Sequence, residues 1–206
     1  MLDINWPIIR AKLKEAVLTL PHFIKNPVRG MRMLPDWDWP TILILQAAFA
    51  AICGVLGNLL DRNILGMFTA IFLAPLGGFL VIGIGAGILY YIFMFGFQRE
   101  IPYRQVYLHL FFAALPVSIV GIVSGIVPPI IIVGAAACML LLFVSFVDVF
   151  QLERSKSRDL LLVMFGLYFI FWATQLVRTS NSHQKLLMKA TPESLDILQK
   201  EMDLGE

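Results

Sequence analysis

The stretch FLVIGIGAGILYY, from Phe79 to Tyr91, decides what kind of molecule this is. Read as a strand running into a glycine loop, it would open a nucleotide-binding unit. Read as a helix, it is the middle of a membrane span. A dinucleotide fingerprint needs G-x-G-x-x-G at a strand-to-helix turn, with an acidic residue about 20 positions later. Gly83 and Gly85 fit, but Ile88 stands where the third glycine is required, and Glu100 lies in a basic loop with Arg99 and Arg104. No hydrophilic βαβ context surrounds the stretch. A lone strand at membrane depth would leave its backbone groups unpaired, at several kcal/mol each. The stretch is therefore read as helix, and no nucleotide is expected. Gly83 and Gly87 are four apart and share one helix face, the small-xxx-small pattern that lets two backbones approach. Gly85 falls on the other side. The plainer reading is that glycine is simply common in membrane helices.

Composition points the same way. Hydrophobic residues make up 59% of the 206 and charged residues 15%, against roughly 25% charged in a soluble domain. Several apolar runs reach the ~20 residues that cross a hydrocarbon core as helix. A net charge of +2 is too small to argue for nucleic acid. Cys53 and Cys138 each sit inside an apolar run, where free cysteine behaves as a small hydrophobe. No CxxC or Cys/His cluster suggests a disulfide framework or a metal site. No apolar segment before Thr41 resembles a cleavable signal.

Outward from Phe79, the expected architecture is an all-α membrane protein, a bundle of five transmembrane helices. Residues 1–41 form an amphipathic N-terminal region. Ile8, Ile9, Leu13, Ala16, Val17 and Leu20 recur at helical spacing. Arg10, Lys12 and Lys14 fall between them as interfacial anchors, and Pro21 is expected to stop the helix. A basic amphipathic helix of this kind lies in the interface and favours anionic inner-leaflet lipid. In PDWDWP, Trp37 and Trp39 read as headgroup-level anchors. Spans are expected at about 42–60, 76–97, 105–125, 130–150 and 160–177, with a polar tail over 179–206. The apolar run Ile64 to Phe97 is too long for one straight span, about 51 Å at 1.5 Å per residue. Pro75, Gly77 and Gly78 supply a break. Ile64 to Leu73 then becomes a short half-inserted helix before the second span. Making it a full span would give six, but one of those would be only about 13 residues, short of the usual length. With five spans, 11 of the 16 Lys and Arg fall on the N-terminal side. That bias places the N-terminus inside and the C-terminus outside.

Candidates for chemistry are few. Ionisable residues within spans are costly and are functional candidates by default, and there are two, His109 and Asp148. Helical rise puts them within about 3 Å in depth. They form either a pair near the inner surface or two side chains that snorkel separately, and the second reading is preferred. Gln46, Asn58, Ser118, Ser124, Ser145, Thr174 and Gln175 fit hydrogen bonding between helices better than a lined path. No HExxH, GxSxG or related motif appears. No enzyme, no cofactor and no metal site is expected.

The order of elements carries a resemblance. A polar N-terminal part ends in LTLPHFIKNP, and five spans follow, the second rich in glycine. The loop GFQREIPYRQVYLHLFFAALP then runs into a span with an internal proline. This resembles the Yip domain family, the Ypt/Rab-interacting-protein-like membrane proteins, over residues 16 to 178. Tyr103 and Pro116 occupy the places of the family's aromatic residue after the glycine-rich span and its internal proline. The resemblance implies a non-enzymatic membrane protein. Eukaryotic relatives are linked to small GTPases and vesicle traffic at the Golgi and endoplasmic reticulum. Some bacterial relatives look like accessories of membrane transport complexes. The chain lacks a long acidic or Pro-rich N-terminal region, which favours a bacterial inner-membrane member over a Golgi or endoplasmic reticulum one. Its expected partner is another membrane protein or a second copy, packed on Gly83 and Gly87. The alternative is a channel, lipid-moving protein or transporter subunit with a cavity at the Pro75–Gly78 break.

Overall fold

A computed structural model describes residues 6–60, 62–124, 127 and 129–188, with side chains from Ala11 to Thr174. Every element among them is helical. In chain order they are α1 (Trp6–Lys25), α2 (Pro27–Arg32), α3 (Trp39–Leu60), α4 (Ile64–Tyr91), α5 (Tyr103–Val123), α6 (Ile130–Val144) and α7 (Arg154–Met188). Two five-residue π-helical segments extend α4 and α6, π1 (Ile92–Gly96) and π2 (Ser145–Val149). Five helices are long and apolar enough to cross a membrane, Trp39–Leu60, Ile64–Gly96, Tyr103–Val123, Ile130–Val149 and Arg154–Thr174. The chain falls into two compact units, the first ending at Leu162. The rest of α7, from Val163, is a unit of its own, in which Phe169 and Trp172 stack one turn apart at 5.9 Å.

Local sequence explains the starts. Asn26 caps α2, its Oδ1 accepting from the Arg29 N–H at 3.2 Å, and Pro27 at the first position needs no partner for a missing N–H. Asn63 caps α4 in the same way, accepting from the Gly66 N–H at 2.9 Å. Within the first unit, α3 packs along α4 and α5, and α5 packs along α6. Small residues allow this. A Cβ at Gly134 would lie 3.0 Å from Val117 Cα and 3.3 Å from the Pro116 oxygen, so α5 and α6 touch backbone to backbone there. Gly54 meets Ala70 and Ala74 in the same manner between α3 and α4. In lipid such close packing, rather than water exclusion, holds helices together.

Several expectations are corrected. The run from Ile64 to Gly96 is one unbroken helix of 33 residues; there is no half-inserted helix and no break at Pro75, Gly77 and Gly78. Proline removes only its own N–H, and a membrane helix tolerates that when neighbouring groups adjust. Pro21 likewise lies inside α1 instead of ending it, while Pro116 lies inside α5 as expected. At the C-terminal end, α7 begins at Arg154 and continues to Met188, so residues 179–188 are helix rather than tail. Residues 189–206 lie outside those described.

The two π segments end alike. Each carries Phe-x-x-x-Phe-Gln, as Phe93, Phe97, Gln98 and as Phe146, Phe150, Gln151. The Phe97 N–H bonds to the Ile92 oxygen and the Arg99 N–H to the Phe93 oxygen; Phe150 to Ser145 and Leu152 to Phe146 repeat the pattern. Gln98 and Gln151 then turn the chain at φ 52° and 51°, a left-handed conformation uncommon outside glycine. Phe93 and Phe146 meet edge to face at 5.0 Å, both fully buried, so the two ends interlock.

Candidate functional site

Most of the polar chemistry in the first unit collects at the end where α3 and α5 begin and α6 finishes. Tyr103, at the first turn of α5, donates its hydroxyl to the Gly83 carbonyl at 2.9 Å. Tyr107, one turn on, donates to Gln46 Oε1 at 2.5 Å. Trp39 covers both phenols, with ring centroids 5.8 and 5.2 Å away. A helical carbonyl has a second lone pair free, so Tyr103 ties α5 to α4 without breaking the helix. Gln46 is buried, and its amide lies beside Gly78, where a Cβ would stand 3.5 Å from Nε2.

Ion pairs fasten the N-terminal region over this end. Arg104 meets Asp36 at 2.6 Å, Arg32 meets Asp148 at 2.7 Å and Lys12 meets Asp38 at 3.3 Å. The Thr41 hydroxyl also donates to Asp38, at 2.7 Å. Burial alone would raise the Asp38 pKa; the bonds from Thr41 and Lys12 and the Lys12 charge outweigh it and hold the carboxyl below its usual range. Beneath the pairs is an aromatic seam. Phe23 of α1 lies 5.1 Å from Phe112, and Trp37 lies 5.7 Å from the same ring. Ala16, Phe23, Met31 and Trp37 are all buried, so residues 16–37 are a docked cap rather than a loose interfacial segment.

The predicted residues sort as follows. His109 and Asp148 are not joined. Asp148 takes Arg32, while His109 Nδ1 shares a bond with the Gln105 oxygen at 2.9 Å and its ring edge meets Phe150 at 4.8 Å. The Met31 backbone lies against that ring, but Nε2 makes no hydrogen bond of ordinary geometry. Equal depth was legible in the sequence, but the cap that supplies Arg32 and Met31 between them was not. Trp37 is turned inward and buried, where an anchor at headgroup level was expected; Trp39 stays half-buried over the two tyrosines. Lys12 is spent on Asp38, Lys14 is exposed, and the side chain of Arg10 lies outside those described. Gly83 faces Tyr103 of its own chain, and nothing lies within 4 Å of a Cβ at Gly87 or Gly77. Gly85, expected on the far side, is the closer contact, 3.0 Å from Leu110 Cδ2. Pro116 sits where α5 receives Gly134. Among the described residues no three His, Cys, Asp or Glu side chains gather as a metal-holding group.

Sequence reasoning passed over Asp36, Asp38, Arg32 and Arg104, which do the fastening. The signal available was their placement, two acids in PDWDWP and two bases flanking spans. It also passed over the corner between α1 and α2. There Thr19, His22, Phe23, Lys25, Asn26, Arg29, Gly30 and Met33 line a cavity of about 380 Å³.

Residues 22–176 match the Yip1 domain family, three-quarters of the chain, from the end of α1 into α7. Neither a curated protein nor a solved structure matches.

Proposed function

The chain belongs to the Yip1 domain family of polytopic membrane proteins, and from that membership we propose that it is a non-enzymatic component that binds a membrane partner or organises the bilayer, as an accessory of a transport or trafficking complex. The observation that carries this reading is the outer face of α4. Gly77 and Gly87 have open space where a Cβ would stand, and Leu73, Leu76, Leu80, Val81, Ile84 and Ile88 are exposed along the same helix. Gly83 is turned to Tyr103, but Gly87, one turn on, is open, and a second backbone can approach there. The polar residues of the capped end, by contrast, are spent inside the chain. Tyr103, Tyr107, Asp36, Asp38 and Asp148 each hold a partner from another element, which suits a scaffold better than a reaction centre.

The alternative of a channel or lipid-moving protein was motivated by a break at Pro75–Gly78, and α4 is continuous there. The charge bias supports a cytoplasmic N-terminus, and a bacterial inner membrane is the proposed location.

The partner reading is tested by Gly87→Leu, alone and with Gly83→Leu. Gly87→Leu meets nothing within the chain, so the fold should survive. The affinity-tagged variant, extracted from native membranes with mild detergent, is expected to lose its copurifying partner or its dimer on mass spectrometry and size exclusion. Unchanged assembly size and unchanged partners would refute the glycine face as the docking surface.

A further inference from the structure

The corner between α1 and α2 is built on a close approach. A Cβ at Gly30 would fall 2.6 Å from Phe23 Cδ2 and 3.2 Å from Phe23 Cα, so the two helices lie at a separation that only glycine permits. The cavity beside that contact has a one-sided lining. His22, Lys25 and Arg29 supply donors, Phe23 and Met33 supply apolar wall, and no carboxylate is present. Asn26 Oδ1 is occupied by the Arg29 N–H, which leaves its amide nitrogen as a further donor. Among the described residues, Lys12, Arg32, Arg104, Lys156 and Arg158 each meet a carboxylate. Lys25, Arg29 and His22 meet none.

The place of the corner sharpens the imbalance. Phe23, Ile24 and Pro27 share a second, apolar cavity of about 230 Å³ with Leu115, Pro116, Ile119 and Val120 of α5. Pro116 lies roughly 20 Å along the helix from Tyr103. The corner thus borders an apolar face of α5, and His22, Lys25 and Arg29 are exposed beside it, where a lipid can reach them.

We propose that the cavity between α1 and α2 binds a phosphate group, with Lys25 and Arg29 as its cationic walls and His22 as a third donor, and that the headgroup of an anionic phospholipid is its source. Lysine and arginine both bond phosphate with charge assistance. The apolar wall of Phe23 and Met33 leaves the acyl chains a continuous path toward α5. The site goes beyond the partner-binding reading, because it needs no second protein.

Native mass spectrometry of the full chain in detergent tests it, with dioleoylphosphatidylglycerol, dioleoylphosphatidylcholine and inorganic phosphate as probes. Lys25→Gln with Arg29→Gln is expected to weaken phosphatidylglycerol binding by about tenfold or more, the scale of one charged hydrogen bond. Phosphatidylcholine binding should not change. Arg62→Gln with Arg99→Gln removes the same charge elsewhere and should leave phosphatidylglycerol binding intact. Millimolar inorganic phosphate that displaces phosphatidylglycerol would identify free phosphate as a source too; failure to displace it would confine the site to lipid. Equal losses in both charge-matched pairs, or no loss in either, would overturn the proposal. The single variants Lys25→Gln and Arg29→Gln, each expected to lose about threefold, keep the test decisive if the pair folds poorly.

Discussion

Alanine placed at three glycines should give three different results. At Gly134 the new Cβ would stand 3.0 Å from Val117 Cα, 3.2 Å from Val120 Cβ and 3.3 Å from the Pro116 oxygen. Backbone atoms cannot rotate away, so α5 and α6 must part by a few tenths of an ångström along their whole contact. Overpacking of this sort costs about 1–3 kcal/mol. Replacing a helical glycine by alanine returns about 0.5–1 kcal/mol, which leaves Gly134→Ala destabilised by up to roughly 2.5 kcal/mol. At Gly87 nothing lies within 4 Å, so only the return remains and the variant should gain. At Gly85 the obstacle is Leu110 Cδ2, the far end of a side chain that can turn, and the two terms should nearly cancel. Reversible unfolding by SDS titration in mixed micelles, followed by tryptophan fluorescence, reads all three. The expected order of stability is Gly87→Ala, then Gly85→Ala, then Gly134→Ala. If Gly87→Ala loses as much as Gly134→Ala, the packing described for α4 to α6 is wrong.

Tyr107→Phe should cost about 1–3 kcal/mol in the same titration, because it leaves the buried Gln46 oxygen without a donor; adding Gln46→Leu should recover most of that loss, and a harmless single variant would refute the role of the bond. Asp38 governs the acid response of the cap. Its folded pKa is depressed, so its contribution is whole above the ordinary aspartate value of about 3.9 and is lost as pH falls through the lower folded value. Hydrogen exchange of the amides over residues 12–25, corrected for intrinsic rates, should hold at pH 5 and rise below about pH 4, and Asp38→Asn should remove that dependence; an identical acid response in the variant would exclude Asp38 as its source.

The membrane class and the five helices of membrane length could be read from the apolar runs, since crossing hydrocarbon sets a minimum length. α3 begins at Trp39 where 42 was expected, and α6 with π2 ends at Val149 where 150 was expected. The long run from Ile64 misled because proline was weighed as it would be in water. One missing N–H among 33 residues does not end a membrane-length helix, and α4 runs through Pro75. The site was harder to read because its partners are distant in the chain. Asp148 and Arg32 are 116 positions apart, and Tyr103 and Gly83 are 20 apart, so no local period announces either contact. In PDWDWP the two tryptophans are equivalent by pattern. Only the start of α3 at Trp39 separates them, turning Trp37 under the cap against Phe112.

The interlocked π segments bear on how the chain is made. Phe93 packs against Phe146, which leaves the ribosome 53 residues later. At about 5–20 residues per second that is a wait of roughly 3–10 s. α5 is complete at Val123, so for the last 23 of those residues the α4–α5 pair stands with its aromatic clasp unfilled. The α4–α5 pair is thus a template held open for α6, and the order of synthesis is also the order of closure.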